Sequence, residues 1–141
     1  FSDMAKQELK ILSDAVKEII QITVDAFTND DNQAAKAIEP LEETIDDMVM
    51  ILRDRHTKRL KNGSCSISSG LVFMEALTNL ERAADQCSNV AMMVLGKNNE
   101  AIMKNHHAYL SDLPTSNDQN YLAEMKNRRD QYMAPLEAIL M

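Results

Sequence analysis

The chain has 141 residues, 45% of them hydrophobic and 26% charged, with 15 basic side chains against 22 acidic ones. This length suits one domain with a buried core, and the formal net charge of -7 argues against a nucleic-acid-binding surface. The longest apolar runs, such as MVMIL and AMMVL, fall far short of the roughly twenty residues that cross a bilayer. We therefore expect a single domain over residues 1–141, without a membrane span. Because the chain starts at Phe1 rather than Met, we also expect it to be a piece of a longer protein.

Apolar side chains recur at helical spacing nearly throughout, which predicts an all-α fold, an antiparallel up-down helical bundle. Helix one is predicted from about Ser2 to Phe27, with a buried stripe formed by Leu12, Val16, Ile19, Thr23 and Ala26. Helix two is predicted from about Gln33 to Leu60, with a seam formed by Ala34, Ile38, Leu41, Ile45, Met48 and Leu52. Pro40 lies inside this pattern, so either the helix is kinked or residues 34–39 form a separate turn.

Helix three is predicted from about Ser69 to Leu95, on a stripe formed by Phe73, Leu77, Leu80, Ala84, Cys87, Ala91 and Val94. Residues 97–112 are interpreted as a ragged helical extension. A fourth helix is predicted from about Asp118 to Leu140, bent by Pro135, with a stripe formed by Leu122, Met125, Tyr132, Leu136 and Ile139. That stripe either completes the core of the monomer or packs against a second chain.

The basic run RDRHTKRLK, residues 53–61, is typical of a helix C-terminus, where the helix dipole favours cations. We expect His56 within it to be a surface or capping residue. Cys65 and Cys87 are interpreted as reduced thiols, since a core of this size needs no disulfide. His106 and His107 are adjacent and face different directions on a helix, so they are a weak metal pair.

Acidic residues flank the seams of helices two and three with the same phase. Glu42 and Asp46 lie beside the first seam, as Glu81 and Asp85 lie beside the second. Equivalent shoulder positions of two antiparallel helices share one side of the interface, so four carboxylates can converge. Carboxylates this close either raise one another's pKa or bind a hard or borderline cation such as magnesium, manganese, calcium, iron or zinc. The predicted site for this divalent or iron-type ion consists of Glu42, Asp46, Glu81 and Asp85.

Two alternatives for these acids remain open at this stage. Glu43 and Asp47 repeat the spacing one residue further on and can share or replace the role. The acids can also be a solvated helix shoulder, or be paired with Arg53, Arg82 or a lysine. No histidine follows a glutamate by three residues, and neither a phosphate-binding glycine loop nor Gly-x-Ser-x-Gly occurs, so we predict no enzyme activity and no catalytic residue.

Residues 55–91, RHTKRLKNGSCSISSGLVFMEALTNLERAADQCSNVA, resemble the PhoU-like domain at the cytoplasmic C-terminus of bacterial sodium/phosphate cotransporters. The matching residues are His56, Arg59, Leu60, Gly63 and Cys65, followed by Leu-x-Asn-x-Glu-Arg-x-x-Asp-x-Cys-x-Asn at positions 77–89. EPLEETIDDM, residues 39–48, is similar to the Glu-x-x-x-Asp of the preceding helix in that family, and NHHAYLSDL to a segment after its third helix.

The resemblance implies a three-helix fold and, in some members, metal binding through Glu/Asp-x-x-x-Asp motifs, which correspond here to Glu42, Asp46, Glu81 and Asp85. The chain departs from the family at Gln86, where a histidine is frequent. Stand-alone members contain two three-helix units, so one unit with an extra helix favours the transporter-appended form.

The resemblance thus predicts a non-catalytic domain on the cytoplasmic side of the cell membrane that regulates or assembles a sodium-dependent phosphate transporter. Its expected partners are the membrane segment of the same protein and further copies of the chain, through helical surfaces. The alternative is a stand-alone regulator that binds a transporter ATPase or a sensor kinase. Because of the net charge of -7, we do not expect the acidic surface to bind phosphate itself.

Overall fold

The computed structural model describes residues 1–97 and 119–139, and its regular elements are helices. Three long helices span Asp3–Asn29 (α1), Asn32–Lys61 (α2) and Ile67–Gly96 (α3). A fourth helix, Gln119–Arg128 (α4), continues through a π-helical segment, Arg129–Met133, into a short helix, Ala134–Glu137 (α5). The described residues contain no strand, so the prediction of an all-α fold with three long helices and a fourth C-terminal helix is confirmed.

Parts of the sequence prediction concern residues outside the described ranges. The ragged extension over residues 97–112 lies, apart from Lys97, outside the described residues, as do His106 and His107. The predicted ends of helix four, Asp118 and Leu140, lie outside them as well.

Helix α1 begins and ends with side chains suited to those positions. Ser2 caps its start by accepting the Ala5 N–H at 3.1 Å. Asp30 ends it in a left-handed conformation, with φ 49°, which aspartate tolerates better than most residues. The predicted stripe is buried in full: Leu12, Val16, Ile19, Thr23 and Ala26.

Helix α2 runs without interruption through Pro40, so the alternative of a separate turn over residues 34–39 is wrong. The Asp31 side chain caps its start by accepting the N–H groups of Gln33 and Ala34. The hydroxyl of Thr44 donates to the Pro40 carbonyl at 2.8 Å. The predicted seam is buried except for the half-buried Ala34: Ile38, Leu41, Ile45, Met48 and Leu52.

Helix α3 follows a short connection in which Gly63 adopts the left-handed conformation, φ 77°, expected of a helix stop. The Ser66 hydroxyl caps α3 by accepting the Ser69 N–H at 3.2 Å. At Gly70 a Cβ would lie 2.6 Å from a Leu60 methyl, so α3 approaches the end of α2 closely because this residue is glycine. The predicted stripe is buried except for the half-buried Leu80: Phe73, Leu77, Ala84, Cys87, Ala91 and Val94.

The fourth helix departs from its predicted register. Tyr132 and Leu136 are buried as expected, but Leu122 is 42% exposed and Tyr121 is buried in its place. Residues 126–131 are all polar, so no apolar side chain shows how the apolar stripe before this run is aligned with the stripe after it. The irregularity expected from Pro135 appears one turn earlier, as the π-helical segment, where the Ala134 N–H bonds to the Arg129 carbonyl.

The helices α1, α2 and α3 contact one another, and α4 packs on α2. The connections between the long helices are short, which makes neighbouring helices antiparallel. Arg128, Gln131 and Tyr132 all hydrogen-bond to Glu18 of α1, so the fourth helix completes the core of the monomer. Within the described ranges, no helix combines the length and the apolar character that a membrane crossing requires.

Candidate metal centre

Three of the four predicted carboxylates converge at the α2–α3 interface. One oxygen each from Glu42, Asp46 and Asp85 lies within 4.8 Å of the other two. Glu42 is buried, Asp46 is half-buried and Asp85 is exposed, so the group extends from the core to the surface. Glu42 and Asp46 lie one turn apart on α2, and Asp85 approaches from α3.

A second group of carboxylates shares Glu42. Oxygens of Glu39, Glu42 and Glu43 also lie within 4.8 Å of one another. Glu39 is 4% exposed and accepts a hydrogen bond from the Ser88 hydroxyl. The sequence interpretation missed Glu39, although its position three residues before Glu42 places it on the same side of the helix. We call Glu39, Glu42, Glu43, Asp46 and Asp85 together the acidic cluster.

Glu81, the fourth predicted ligand, belongs to neither group. Its Oε1 lies 3.4 Å from Nη1 of Arg53, whose Nη2 donates to the Thr78 hydroxyl at 3.0 Å. This is the arginine pairing left open as an alternative. Asp47 likewise pairs with Arg129 of the π-helical segment, so Asp47 does not join the acidic cluster.

The pKa values of Glu39, Glu42, Glu43 and Asp46 rise because burial and mutual repulsion disfavour the charged forms. Burial is the largest cause for Glu42, whose pKa is raised to about 10, and the Asp46 carboxylate adds to it. Burial is also the largest cause for Asp46, whose pKa is raised to about 6 with contributions from the charges of Asp85 and Glu81. Burial raises the pKa of Glu39 to about 6, although the hydrogen bond from Ser88 opposes the shift. Across the described part of the chain, no ion pair to a lysine or arginine neutralises Glu39, Glu42, Asp46 or Asp85.

These donors fit a hard cation. Carboxylate oxygens are the ligands that calcium, magnesium and manganese prefer, and iron and zinc also accept them. A bound cation replaces the protons that the raised pKa values would otherwise retain and removes the repulsion among Glu42, Asp46 and Asp85. Because Glu42 belongs to both groups, an ion bound by either group would be bound by Glu42.

The fourth helix contributes Tyr121 beside the same cluster. Its pKa is raised to about 12, first by burial and then by the charges of Glu43, Glu39 and Glu42. The α4 helix therefore covers the side of α2 that carries these acids.

A different set of charges lies buried near the C-terminal end of α2. Glu8 of α1 is fully buried, and its carboxylate oxygens lie 2.7 Å from Arg59 Nη2 and 3.2 Å from Arg55 Nη1. We call Glu8, Arg55, His56 and Arg59 the arginine cluster. The basic run ends α2 as predicted, with Lys58, Arg59 and Lys61 in its last turn. Arg55 and Arg59 turn inward because Glu8 pairs with both.

The expectation that His56 is a surface or capping residue is wrong. It is 1% exposed, and its ring stacks on Phe73 with centroids 4.1 Å apart. Its Nδ1 accepts from Arg59 Nε at 3.3 Å, and its Nε2 lies 3.7 Å from Cys65 Sγ. Burial and the charge of Arg59 lower the pKa of His56, so the ring is neutral. Cys65 and Cys87 are both free thiols, as expected.

Comparison with known proteins gives one match. A family model described as PhoU domain matches residues 9–94, well over half of the chain, and this range contains the whole acidic cluster. No curated protein matches the chain. No solved structure matches it either.

Proposed function

The chain belongs to the PhoU domain family, which gives it a regulatory role connected with phosphate transport, and from this premise we propose that a metal ion in the acidic cluster supports that role. The observation that carries the proposal is the convergence of Glu42, Asp46 and Asp85 without a basic partner among the described residues. Like charges at this distance repel one another unless a proton or a cation lies between them.

The metal would fasten α2 to α3. Glu42 and Asp46 supply oxygens from α2 and Asp85 supplies one from α3, so a bound ion links the two helices. Asp85 is exposed, which leaves the outer side of the site open to water or to a further ligand. Gln86, where the family often has histidine, is also exposed at this edge. We assign it no ligand role, because an amide oxygen binds cations more weakly than a carboxylate.

We further propose that the domain is non-catalytic and lies on the cytoplasmic side of the cell membrane, attached to the membrane segment of a sodium-dependent phosphate transporter. The resemblance of residues 55–91 to the PhoU-like domain of bacterial sodium/phosphate cotransporters supports this arrangement. Contact between copies is supported by an exposed apolar stripe on α1, formed by Ile20, Val24 and Phe27. A stand-alone regulator that binds a transporter ATPase or a sensor kinase is the alternative. Membrane-spanning segments in the same reading frame would decide for the first form, and their absence for the second.

Elemental analysis of protein purified without chelator or affinity-column metal tests the metal proposal. We expect close to one or two ions per chain, and a melting temperature that rises when Mn²⁺ is added to chelator-treated protein. Glu42→Gln should abolish that rise, because it removes the carboxylate shared by both groups. Glu75→Gln, on the exposed side of α3, is the matched control and should respond like wild type. Protein without metal, or an unchanged response in Glu42→Gln, would contradict the proposal.

A further inference from the structure

A small cavity lies at the end of the bundle opposite to the acidic cluster, where the first turns of α1 and α3 meet the last turns of α2. Its volume is about 210 Å³, and it is lined by residues that include Ser2, His56, Arg59, Cys65, Ser66 and Ser69. None of the described residues that line it is acidic. Asp46 and Arg59 are 13 residues apart on α2, so about 20 Å separates the cavity from the acidic cluster.

The N-termini of two helices, α1 and α3, lie at this cavity. Ser2 caps α1 and Ser66 caps α3, and both line the cavity. Each capping hydroxyl satisfies one backbone N–H, at Ala5 and Ser69, while the first turn of a helix carries four N–H groups without an intrahelical acceptor. The positive ends of the α1 and α3 dipoles lie at this end of the bundle with the negative end of the α2 dipole, so one positive end is left in excess. Backbone groups in this arrangement favour a negatively charged ligand.

Arg59 provides an independent indication of an anion. The residue is only 6% exposed and lines the cavity. Its Nη2 pairs with Glu8 and its Nε donates to His56, whereas its Nη1 has no hydrogen-bond partner among the described residues. A buried guanidinium nitrogen without an acceptor is costly, and an oxyanion in the cavity would supply that acceptor.

The charges around the cavity also favour an anion. Glu8 is shared by Arg55 and Arg59, so this group retains one net positive charge. His56 Nδ1 accepts from Arg59, and the neutral ring therefore carries its proton on Nε2, the nitrogen that lies near Cys65. His56 thus offers a donor, as Arg59 does. The net charge of the whole chain is -7, but the charge around this cavity is positive.

We propose that this cavity binds a small tetrahedral oxyanion of the phosphate or sulfate type. Arg59 Nη1, His56 Nε2 and the N-terminal N–H groups of α1 and α3 donate to its oxygens. This site goes beyond the proposed metal function and does not depend on it, since the two sites share no residue. It also revises the expectation, drawn from net charge, that the domain does not bind phosphate.

The test is a calorimetric titration of chelator-treated protein with inorganic phosphate and, separately, with sulfate, against potassium chloride of equal ionic strength. Removing Arg59 would leave Glu8 poorly paired and endanger folding, so the variant is Ser69→Glu. Position 69 is the third residue of α3, where glutamate completes a capping box with Ser66 and supports folding. Its carboxylate would occupy the anion's place in the cavity. Ser68→Glu adds the same charge to the same turn at an exposed position outside the cavity and is the matched control.

We expect saturable binding of phosphate or sulfate by wild type, weakened about tenfold or more in Ser69→Glu and changed less than about threefold in Ser68→Glu. Binding of both anions would indicate a site that reads charge and shape, and binding of phosphate alone a phosphate-selective site; both support the proposal. Heats no larger than those with chloride, or equal weakening in the two variants, would overturn it. Because metal is removed throughout, failure of the metal proposal cannot produce either result.

Discussion

The buried carboxylates near the two ends of α2 have opposite surroundings. Near its C-terminal end, the arginine cluster places a fully buried carboxylate, Glu8, between two guanidinium groups. Near its N-terminal end, the acidic cluster places Glu42 among further carboxylates, with no basic partner in the described part of the chain. In the first set the buried carboxylate is compensated within the protein and one positive charge remains, whereas the acids of the second set depend on protons or on a cation supplied from solution.

This difference separates a carboxylate that stabilises the fold, Glu8, from carboxylates that bind a cation. Removing one member of a compensated set leaves an unpaired buried charge, so its effect should appear in folding stability. Removing one member of an uncompensated set relieves repulsion, so its effect should appear in ligand binding and in pH dependence. The predictions below test that separation.

The largest effect is expected for Glu8→Ala. It leaves Arg55 and Arg59 buried without their carboxylate, and the free energy of unfolding should fall by about 3–5 kcal/mol. Urea unfolding followed by circular dichroism measures this change. Asp14→Ala removes a carboxylate from an exposed pair with Lys10 and should change stability by less than about 0.5 kcal/mol. A loss below about 1 kcal/mol for Glu8→Ala would show that the arginine cluster is not a compensated unit.

A smaller effect concerns pH in the presence of chelator. The pKa of Glu39 is raised from 4.5 to about 6, so between these values the folded state holds more protons than the unfolded state, and stability falls as pH rises. The shift of about 1.5 pH units corresponds to about 2 kcal/mol. Glu39→Gln lacks this titration. The stability of wild type relative to this variant should therefore fall by about 2 kcal/mol from pH 4 to pH 7 in urea unfolding, and a constant difference would contradict the raised pKa.

A third prediction distinguishes the two predicted metal ligands on α3. Asp85 lies within the acidic cluster, whereas Glu81 pairs with Arg53. Asp85→Asn should weaken Mn²⁺ binding about tenfold, equivalent to about 1.4 kcal/mol, and Glu81→Gln by less than about threefold. Calorimetric titration with Mn²⁺ compares them. Equal weakening would return Glu81 to the ligand set that the sequence motif predicts.

The smallest effect is expected at Gly70, whose missing side chain allows α3 to approach the arginine cluster. A methyl group there would press on Leu60 and come within 3.3 Å of His56 Nε2. Since the end of the Leu60 side chain can move, Gly70→Ala should cost about 1 kcal/mol. Thermal unfolding measures this loss, with Ser68→Ala on the exposed side of the same helix as control. A gain in stability would show that the contact is not tight.

The sequence predicted the parts of the structure that local periodicity determines. The apolar stripes of α1, α2 and α3 repeat at steps of three and four residues, and the phase of Glu42, Asp46 and Asp85 relative to them predicted their convergence. Metal binding by Glu42, Asp46, Glu81 and Asp85 remains a prediction. The register of the fourth helix could not be obtained, because a polar run separates its two apolar halves.

Partners that are distant in sequence explain most of what was missed. Glu8 is 47 residues from Arg55, and no local sequence pattern predicts that they pair. One signal was available: Glu8 lies four residues before Leu12, on the buried stripe of α1, where an acid requires a buried partner. His56 was misplaced for the same reason, since its stacking on Phe73 depends on the packing of α3 against α2.

The most direct test of the contrast is an anomalous difference map from crystals of the protein soaked in Mn²⁺. We predict a peak bound by carboxylate oxygens of Glu42, Asp46 and Asp85, and no peak at the arginine cluster. A peak beside Glu81 instead, or no peak at the acidic cluster at saturating Mn²⁺, would contradict the central claim that the uncompensated charges of α2 form a metal site.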